Sequence, residues 1–163
     1  MAQVQGSGSN QVKQLYSYDA NGDVISVNYN GTEYYYLLNS QNDVVGLMDG
    51  SGTRVVEYTY DKLISTTGTL ATSLGADNPF RYRGYYYDTE TGLYYLMTRY
   101  YDPEVCRFIS ADVYMSTGQG VLGGNMWVYC LNNPILYSDT FGESVTVCIL
   151  GVNLPSLNCL LLV

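Results

Sequence analysis

The side chains that could do chemistry in this sequence are mainly carboxylates, because the usual catalytic partners are absent. The 163 residues include fifteen acidic residues and no histidine. Without an imidazole, neither a Ser-His-Asp nor a Cys-His catalytic arrangement is available. The remaining option is a pair of aspartates. Two carboxyl groups that share one site split their pKa values, which provides one acid and one base.

The sequence predicts no cofactor and no metal ion. Its four cysteines contain no Cys-x-x-Cys pair, which argues against a zinc ribbon, and we expect most of them to be free, buried thiols: Cys106, Cys130, Cys148 and Cys159. Several aspartates at repeated turns are alternative calcium ligands, but the dense Asp-x-Asp-x-Asp-Gly loop of a calcium site is missing. Capping of turns is therefore the favoured role of these residues: Asp19, Asp61, Asp88 and Asp102.

The net charge of −8 disfavours nucleic acid and anionic membranes as partners, since both need a positive surface. Four arginines nevertheless cluster in a Tyr-rich stretch: Arg81, Arg83, Arg99 and Arg107. They could bind a phosphate group. Stacking of the guanidinium groups on tyrosine rings within a sheet is the favoured alternative.

Tyrosine alternation and turn signals predict the elements that position these residues. Tyr16-Ser-Tyr-Asp19 recurs as Tyr58-Thr-Tyr-Asp61, and the strand–turn–strand pattern repeats about twice within that interval. Asn30-Gly31 is a strong hairpin signal, because a type I′ turn needs positive φ at both central residues. We expect a mainly β fold in which antiparallel hairpin repeats form an open curved sheet, with a short irregular or helical C-terminal part.

The stretches outside the repeats carry weaker signals. Residues 62–79 are rich in Thr, Ser and Gly, which predicts a loop with a helical turn near Leu70–Leu74. Asn125–Leu131 could form one or two helical turns before Asn-Asn-Pro. The polar N-terminal residues lack the apolar segment of a signal peptide. The apolar end is too short and too interrupted to span a bilayer.

The order of motifs from Asn78 to Gly142 resembles the repeat-associated core domain of the RHS/YD-repeat family. Upstream, Tyr16–Gly22 follows the Tyr-x-Tyr-Asp-x-x-Gly pattern of the repeats. The core motifs are Arg81-Tyr-Arg-Gly84, Tyr87-Asp-x-Glu-Thr-Gly-Leu-Tyr-Tyr95, Arg99-Tyr-Tyr-Asp-Pro103, Arg107-Phe-Ile-Ser-x-Asp112 and Asn125-x-x-x-Tyr-x-x-Asn-Asn-Pro134. A terminal motif at Ser138–Glu143 keeps Asp139 and Gly142 but has Thr and Glu where the family has Pro and Leu.

The resemblance implies that the chain is a segment of a β-spiral shell. In families similar to the Tc-toxin C component and the bacterial Rhs polymorphic toxins, such a shell encloses a C-terminal toxin. The expected organisation is a flexible lead over 1–14, repeats over 15–77, a core domain over 78–142 and a short apolar tail over 143–163 that is not a complete toxin domain. The sequence would then be the C-terminal piece of a longer, secreted or surface-displayed protein.

The same resemblance supplies the candidate site residues. Aspartates of the core domain serve self-cleavage in these families, and Asp139 matches the terminal motif by position, with Asp112 as its candidate partner. The favoured alternative is that both are turn residues whose side chains cap backbone amides. We otherwise expect no enzyme activity. Expected partners are a C-terminal toxin, other RHS repeats, or a second copy joined through unpaired edge strands. The alternative function is a cell-wall or glycan-binding repeat module, which binding to choline resin or peptidoglycan would reveal.

Overall fold

The computed structural model describes residues 2–5, 12–60, 64–113, 124–149 and 152–154. The chain divides into two compact units, Met1–Gly84 and Tyr85–Val163. The first unit contains one antiparallel sheet and the second contains two, so the predicted mainly β, hairpin-based fold is confirmed. Asp61 and Cys159 lie outside the described residues.

The first unit is a seven-stranded sheet in which every strand pairs with the strand before it in the sequence. Its strands are β1 (Ala2–Gln5), β2 (Val12–Tyr18), β3 (Val24–Tyr29), β4 (Thr32–Leu38), β5 (Val44–Met48), β6 (Arg54–Tyr60) and β7 (Ile64–Thr67). Among the described strands, β1 and β7 do not pair with each other, so the sheet is open. Strand β1 and the start of β2 lie within residues 1–14, which were predicted to be a flexible lead. The predicted division of the chain into functional domains stays a prediction.

Side-chain caps form the turns between the repeats. The Asp19 carboxylate accepts hydrogen bonds from the backbone N–H groups of Asn21 and Asp23 at 2.8 and 2.9 Å. The Asn39 side-chain oxygen accepts the equivalent bonds one repeat later, at 2.8 and 2.9 Å. The hydrogen bond from the Asp23 amide is the largest influence that lowers the pKa of Asp19. Turn capping is thus the observed role of this aspartate.

A returning segment, residues 68–84, packs on one face of this sheet. It contains the short helix α1 (Leu74–Asp77), one turn later than predicted. The ring of Phe80 contacts Tyr16 edge-on, with 5.0 Å between centroids. Asn78 is 1% exposed, accepts a hydrogen bond from the Tyr36 hydroxyl at 2.6 Å and donates one to the Tyr58 hydroxyl at 3.1 Å. The segment therefore holds alternate strands of the sheet through their tyrosines.

The second unit contains a four-stranded and a three-stranded antiparallel sheet. The first comprises β8 (Tyr86–Asp88), β9 (Leu93–Leu96), β10 (Arg99–Asp102) and β11 (Arg107–Phe108), and the second comprises β12 (Tyr137–Ser138), β13 (Thr146–Ile149) and β14 (Val152–Leu154). A 3₁₀ turn at Cys130–Asn132 falls at the end of the stretch predicted to be helical. Of the thiols, Cys130 is buried and Cys106 is exposed, and both are free.

Candidate functional site

The candidate site is built around Arg99, which begins β10 and points into the interior of the second unit. Strand alternation turns Arg99 and Tyr101 to the buried face, while Tyr100 faces outward. Arg99 is only 4% exposed, and its guanidinium carbon lies 3.7 Å from the centre of the Phe108 ring. An arginine that leaves water so completely needs charged and polar partners to offset its desolvation.

The two aspartates selected from the sequence supply those partners. An Arg99 guanidinium nitrogen lies 2.9 Å from Asp112 Oδ2 and 3.3 Å from Asp139 Oδ2. Another donates a hydrogen bond to the backbone carbonyl of Met126 at 3.1 Å. The structure thus brings Asp112 and Asp139 together on one cation, although 27 residues separate them in the sequence (139 − 112).

The terminal motif is clamped beside this cluster at Gly142. The Gly142 carbonyl oxygen accepts a hydrogen bond from Arg99 Nε at 2.5 Å. It also lies 2.9 Å from the Thr98 hydroxyl, whose single hydrogen is shared with the Phe141 carbonyl oxygen at 2.7 Å. The residue has φ +72°, and an added Cβ would lie 2.6 Å from the Leu96 carbonyl oxygen and 2.8 Å from Thr98 Oγ1. Only glycine fits this position without displacement, because both the backbone conformation and the available space exclude a side chain.

Asp139 closes the turn from the other side. Its Oδ1 accepts hydrogen bonds from the backbone N–H groups of Glu143 at 3.0 Å and Ser144 at 3.3 Å. Its own carbonyl accepts a hydrogen bond from the Tyr85 hydroxyl at 2.9 Å. Burial raises the pKa of Asp139 above its ordinary value, and the Arg99 charge and these amides only partly counteract it.

Together these contacts hold both ends of one peptide group. The carbonyl oxygen of the Gly142–Glu143 peptide receives two donors, and its N–H is bonded to a buried carboxylate. Hydrogen-bond donors at a carbonyl oxygen stabilise negative charge there, which is the requirement of a tetrahedral intermediate. Sequence reasoning identified the aspartates but missed Thr98 and the bridging role of Arg99. The sequence signal that could have indicated the role of Arg99 is a single arginine at the start of a Tyr-rich strand.

The predicted stacking of arginines on aromatic rings is also present in the first unit. The Arg81 guanidinium lies 5.8 Å from the Tyr58 ring centre, and that of Arg83 lies 5.7 Å from the Tyr82 ring centre. Arg81 also donates hydrogen bonds to the carbonyl groups of Asn78 and Ala76. These contacts favour the structural role of the two arginines over phosphate binding. Within the described ranges, no group of His, Cys, Asp or Glu side chains is arranged to hold a metal ion.

Comparison with known proteins agrees with this structure. Residues 7–129 match the Teneurin YD-shell family. The tRNA3(Ser)-specific nuclease WapA of Bacillus spizizenii is 40% identical over 136 residues, which cover 83% of this chain and 6% of WapA. Toxin protein Tse5 of Pseudomonas aeruginosa is 40% identical over 73 residues, 45% of this chain and 5% of Tse5. The crystal structure of TcdB2-TccC3 shares the fold, with a TM-score of 0.66 at 21% identity over 86% of this chain and 7% of that one.

The chain therefore spans a small fraction of the length of the relatives it matches. In the part of the chain that the structure describes, no helix is long and apolar enough to cross a membrane. The family match covers most of the residues, and the open sheet of paired repeats agrees with it. The chain belongs to the Teneurin YD-shell family of RHS/YD-repeat proteins and has the structure of a shell segment.

Proposed function

We propose that this chain forms part of a shell wall that encloses or displays a C-terminal effector. The observation that carries the proposal is the open sheet of the first unit, in which each repeat pairs only with its sequence neighbours. Repeats of this kind form walls by adding strands at either end. The names of WapA and Tse5, a nuclease and a toxin, support an effector as the content of the shell.

The edge strands define where further repeats would join. Strand β7 (Ile64–Thr67) pairs with β6 on one side. No described strand pairs with its other side, which is where a further repeat would join. Unpaired backbone groups at such an edge bind another extended strand readily. The partners in this proposal are additional YD repeats of a longer protein, or a second copy of the chain when those repeats are missing. Export of the parent protein to the cell surface or beyond belongs to the same proposal.

A hybrid protein tests the enclosure. The 136 matched residues of Bacillus spizizenii WapA are replaced by the corresponding part of this chain, and the hybrid is digested with a nonspecific protease. We expect the domain beyond the replaced segment to resist digestion to the same extent in the hybrid and in unaltered WapA digested alongside it. A hybrid carrying Asn78→Ala, which disrupts the segment packed on the sheet, serves as the control and should lose that protection.

The proposal is wrong if the distal domain is digested at the same rate in the folded hybrid and when it is expressed alone. The alternative glycan-binding function has its own readout. Retention of the isolated chain on choline resin or peptidoglycan, competed by free ligand, would favour a binding module over a wall segment.

We further propose that Asp139 and Asp112 carry out self-cleavage at the terminal motif. The supporting observation is the peptide group of Gly142–Glu143, held at its carbonyl by Arg99 and Thr98 and at its N–H by Asp139. In this mechanism one carboxylate takes a proton from water as the water oxygen bonds to the Gly142 carbonyl carbon. The other carboxyl group, which starts protonated, gives its proton to the Glu143 nitrogen as the C–N bond of the Gly142–Glu143 peptide breaks. Intact-mass measurements over long incubation test it.

The cleavage experiment needs matched variants. Loss of the mass that follows Gly142 is expected in the native chain, and Asp139→Asn and Asp112→Asn should each abolish it. Asp102→Asn is the control, because Asp102 caps an exposed turn in the same sheet through the amide of Glu104. A native chain that keeps its full mass, while a relative with the Pro and Leu of the complete motif is cut, would refute self-cleavage here.

A further inference from the structure

The outward face of the four-stranded sheet carries a row of tyrosines. Tyr86, Tyr95 and Tyr100 lie directly opposite one another on β8, β9 and β10. Tyr95 is 40% exposed and Tyr100 is 39% exposed, whereas the tyrosines of the inward row, Tyr94 and Tyr101, are buried. Strand alternation therefore produces two tyrosine rows of different accessibility on the same three strands.

Within the outward row, Tyr95 and Tyr100 are a close pair. Their ring centroids are 5.0 Å apart and the ring planes meet at 42°. They occupy opposite positions of the β9–β10 hairpin, so neither ring can move far from the other while the sheet is folded. We propose that Tyr95 and Tyr100 form an oxidative crosslinking site, at which a one-electron oxidant joins the two rings covalently as dityrosine.

The reaction is balanced as follows. Each phenol loses one electron to an oxidant and one proton to water, which gives two tyrosyl radicals. The radicals couple through the ring carbons next to the hydroxyl groups, and the two hydrogens on those carbons shift to restore both phenols. The net change is one new carbon–carbon bond and the loss of two electrons and two protons. Two equivalents of a one-electron oxidant, such as a ruthenium(III) complex or the ferryl state of a haem peroxidase, accept the electrons.

Accessibility distinguishes this pair from two other close tyrosine pairs in the described part of the unit. Tyr87 and Tyr94 have ring centroids 4.9 Å apart, but Tyr94 is 3% exposed. The Tyr101 and Tyr129 rings are 4.3 Å apart and both are buried, at 7% and 2% exposure. An oxidant that reacts by direct encounter meets the outward pair first. The resulting bond would tie together β9 and β10, the two strands on either side of Thr98.

Tryptic mapping of the full chain tests the proposal, because Arg99 separates the two tyrosines. The exposed Cys106 thiol is alkylated first, since a free thiol would reduce tyrosyl radicals. The chain is then illuminated briefly with a ruthenium trisbipyridyl complex and persulfate. We expect residues 84–99 and 100–107 to be recovered as one linked species whose mass is the sum of the two peptides less two hydrogen atoms, with dityrosine fluorescence.

Three variants and a denatured sample make the result specific. Tyr95→Phe and Tyr100→Phe should each eliminate the linked species, and Tyr87→Phe should retain it, although Tyr87 lies in the same peptide as Tyr95 and has an equally close neighbour. Oxidation in urea should strongly reduce the yield. The proposal is overturned if the link survives in either Tyr95→Phe or Tyr100→Phe, if unfolded chains give an equal yield, or if only intermolecular dimers form.

Discussion

Two features require glycine at position 142: a positive φ and the lack of space for a Cβ atom. Replacement by alanine, compared with a matched control, separates their effects. The residue has φ +72°, and its added Cβ would meet the Leu96 carbonyl oxygen at 2.6 Å. Gly92 provides the matched control because its φ is +75° but the nearest atom to its added Cβ, the Tyr87 hydroxyl oxygen, is 3.9 Å away. Both alanines bear the backbone cost of a left-handed conformation, about 1–2 kcal/mol. Only Gly142→Ala also suffers a close contact with backbone.

The close contact at Gly142 adds about 1–3 kcal/mol, the usual cost of overpacking a rigid site. We therefore expect Gly142→Ala to lower the free energy of unfolding by roughly 2–5 kcal/mol and Gly92→Ala by roughly 1–2 kcal/mol. Urea denaturation followed by fluorescence of the single tryptophan, Trp127, measures both in the unit that contains the clamp. Equal losses for the two variants at unchanged urea dependence would refute the packing of Gly142 against Leu96.

Three further predictions concern buried and exposed polar groups. Asn78→Ala should destabilise the first unit by about 2–4 kcal/mol in urea denaturation, because it removes several buried hydrogen bonds at once; a loss below about 1 kcal/mol would contradict it. Arg99→Met should cost about 3–5 kcal/mol by removing the cation beside the buried Asp139 carboxylate, whereas Arg54→Met, in an exposed ion pair, should cost under about 1 kcal/mol. Hydrogen bonding lowers the pKa of Asp19 in the folded state. Asp19 therefore stabilises the fold above its unfolded-state pKa of about 3.9, and this stabilisation is lost as the pH falls through the folded-state pKa. Asp19→Asn should therefore reduce the acid-induced shift of the urea midpoint below about pH 4, as Asn39 already caps its turn without titrating; an unchanged shift would contradict this role.

The repeat sheet was predictable because its signals are local. Alternating tyrosines such as Tyr16 and Tyr18 mark strands, and Asn30-Gly31 marks a hairpin, within a few residues of the structure they form. Asn30 and Gly31 indeed have φ of 52° and 95°, as a type I′ turn requires. The capping role of Asp19 followed from the same short-range chemistry.

The candidate site depended on contacts between distant residues, which spacing could not reveal. Asp112 and Asp139 were identified through the order of family motifs, and nothing in their neighbourhoods indicated that Arg99 would join them. Thr98 was missed because a threonine between two strands is typical of any exposed turn. Its role depends on a hydrogen bond from its hydroxyl to the carbonyl of Phe141, which is 43 residues further along the chain.

The contacts of residues 78 and 80 also affect how the first unit should unfold. An array held only by pairing between successive strands can lose its outer members one at a time. Here one short segment is fastened to tyrosines of β2, β4 and β6, so detaching any of these strands also disturbs the fastening of the other two. We expect this cross-bracing to make the first unit unfold in one concerted transition rather than by stepwise loss of its outer strands.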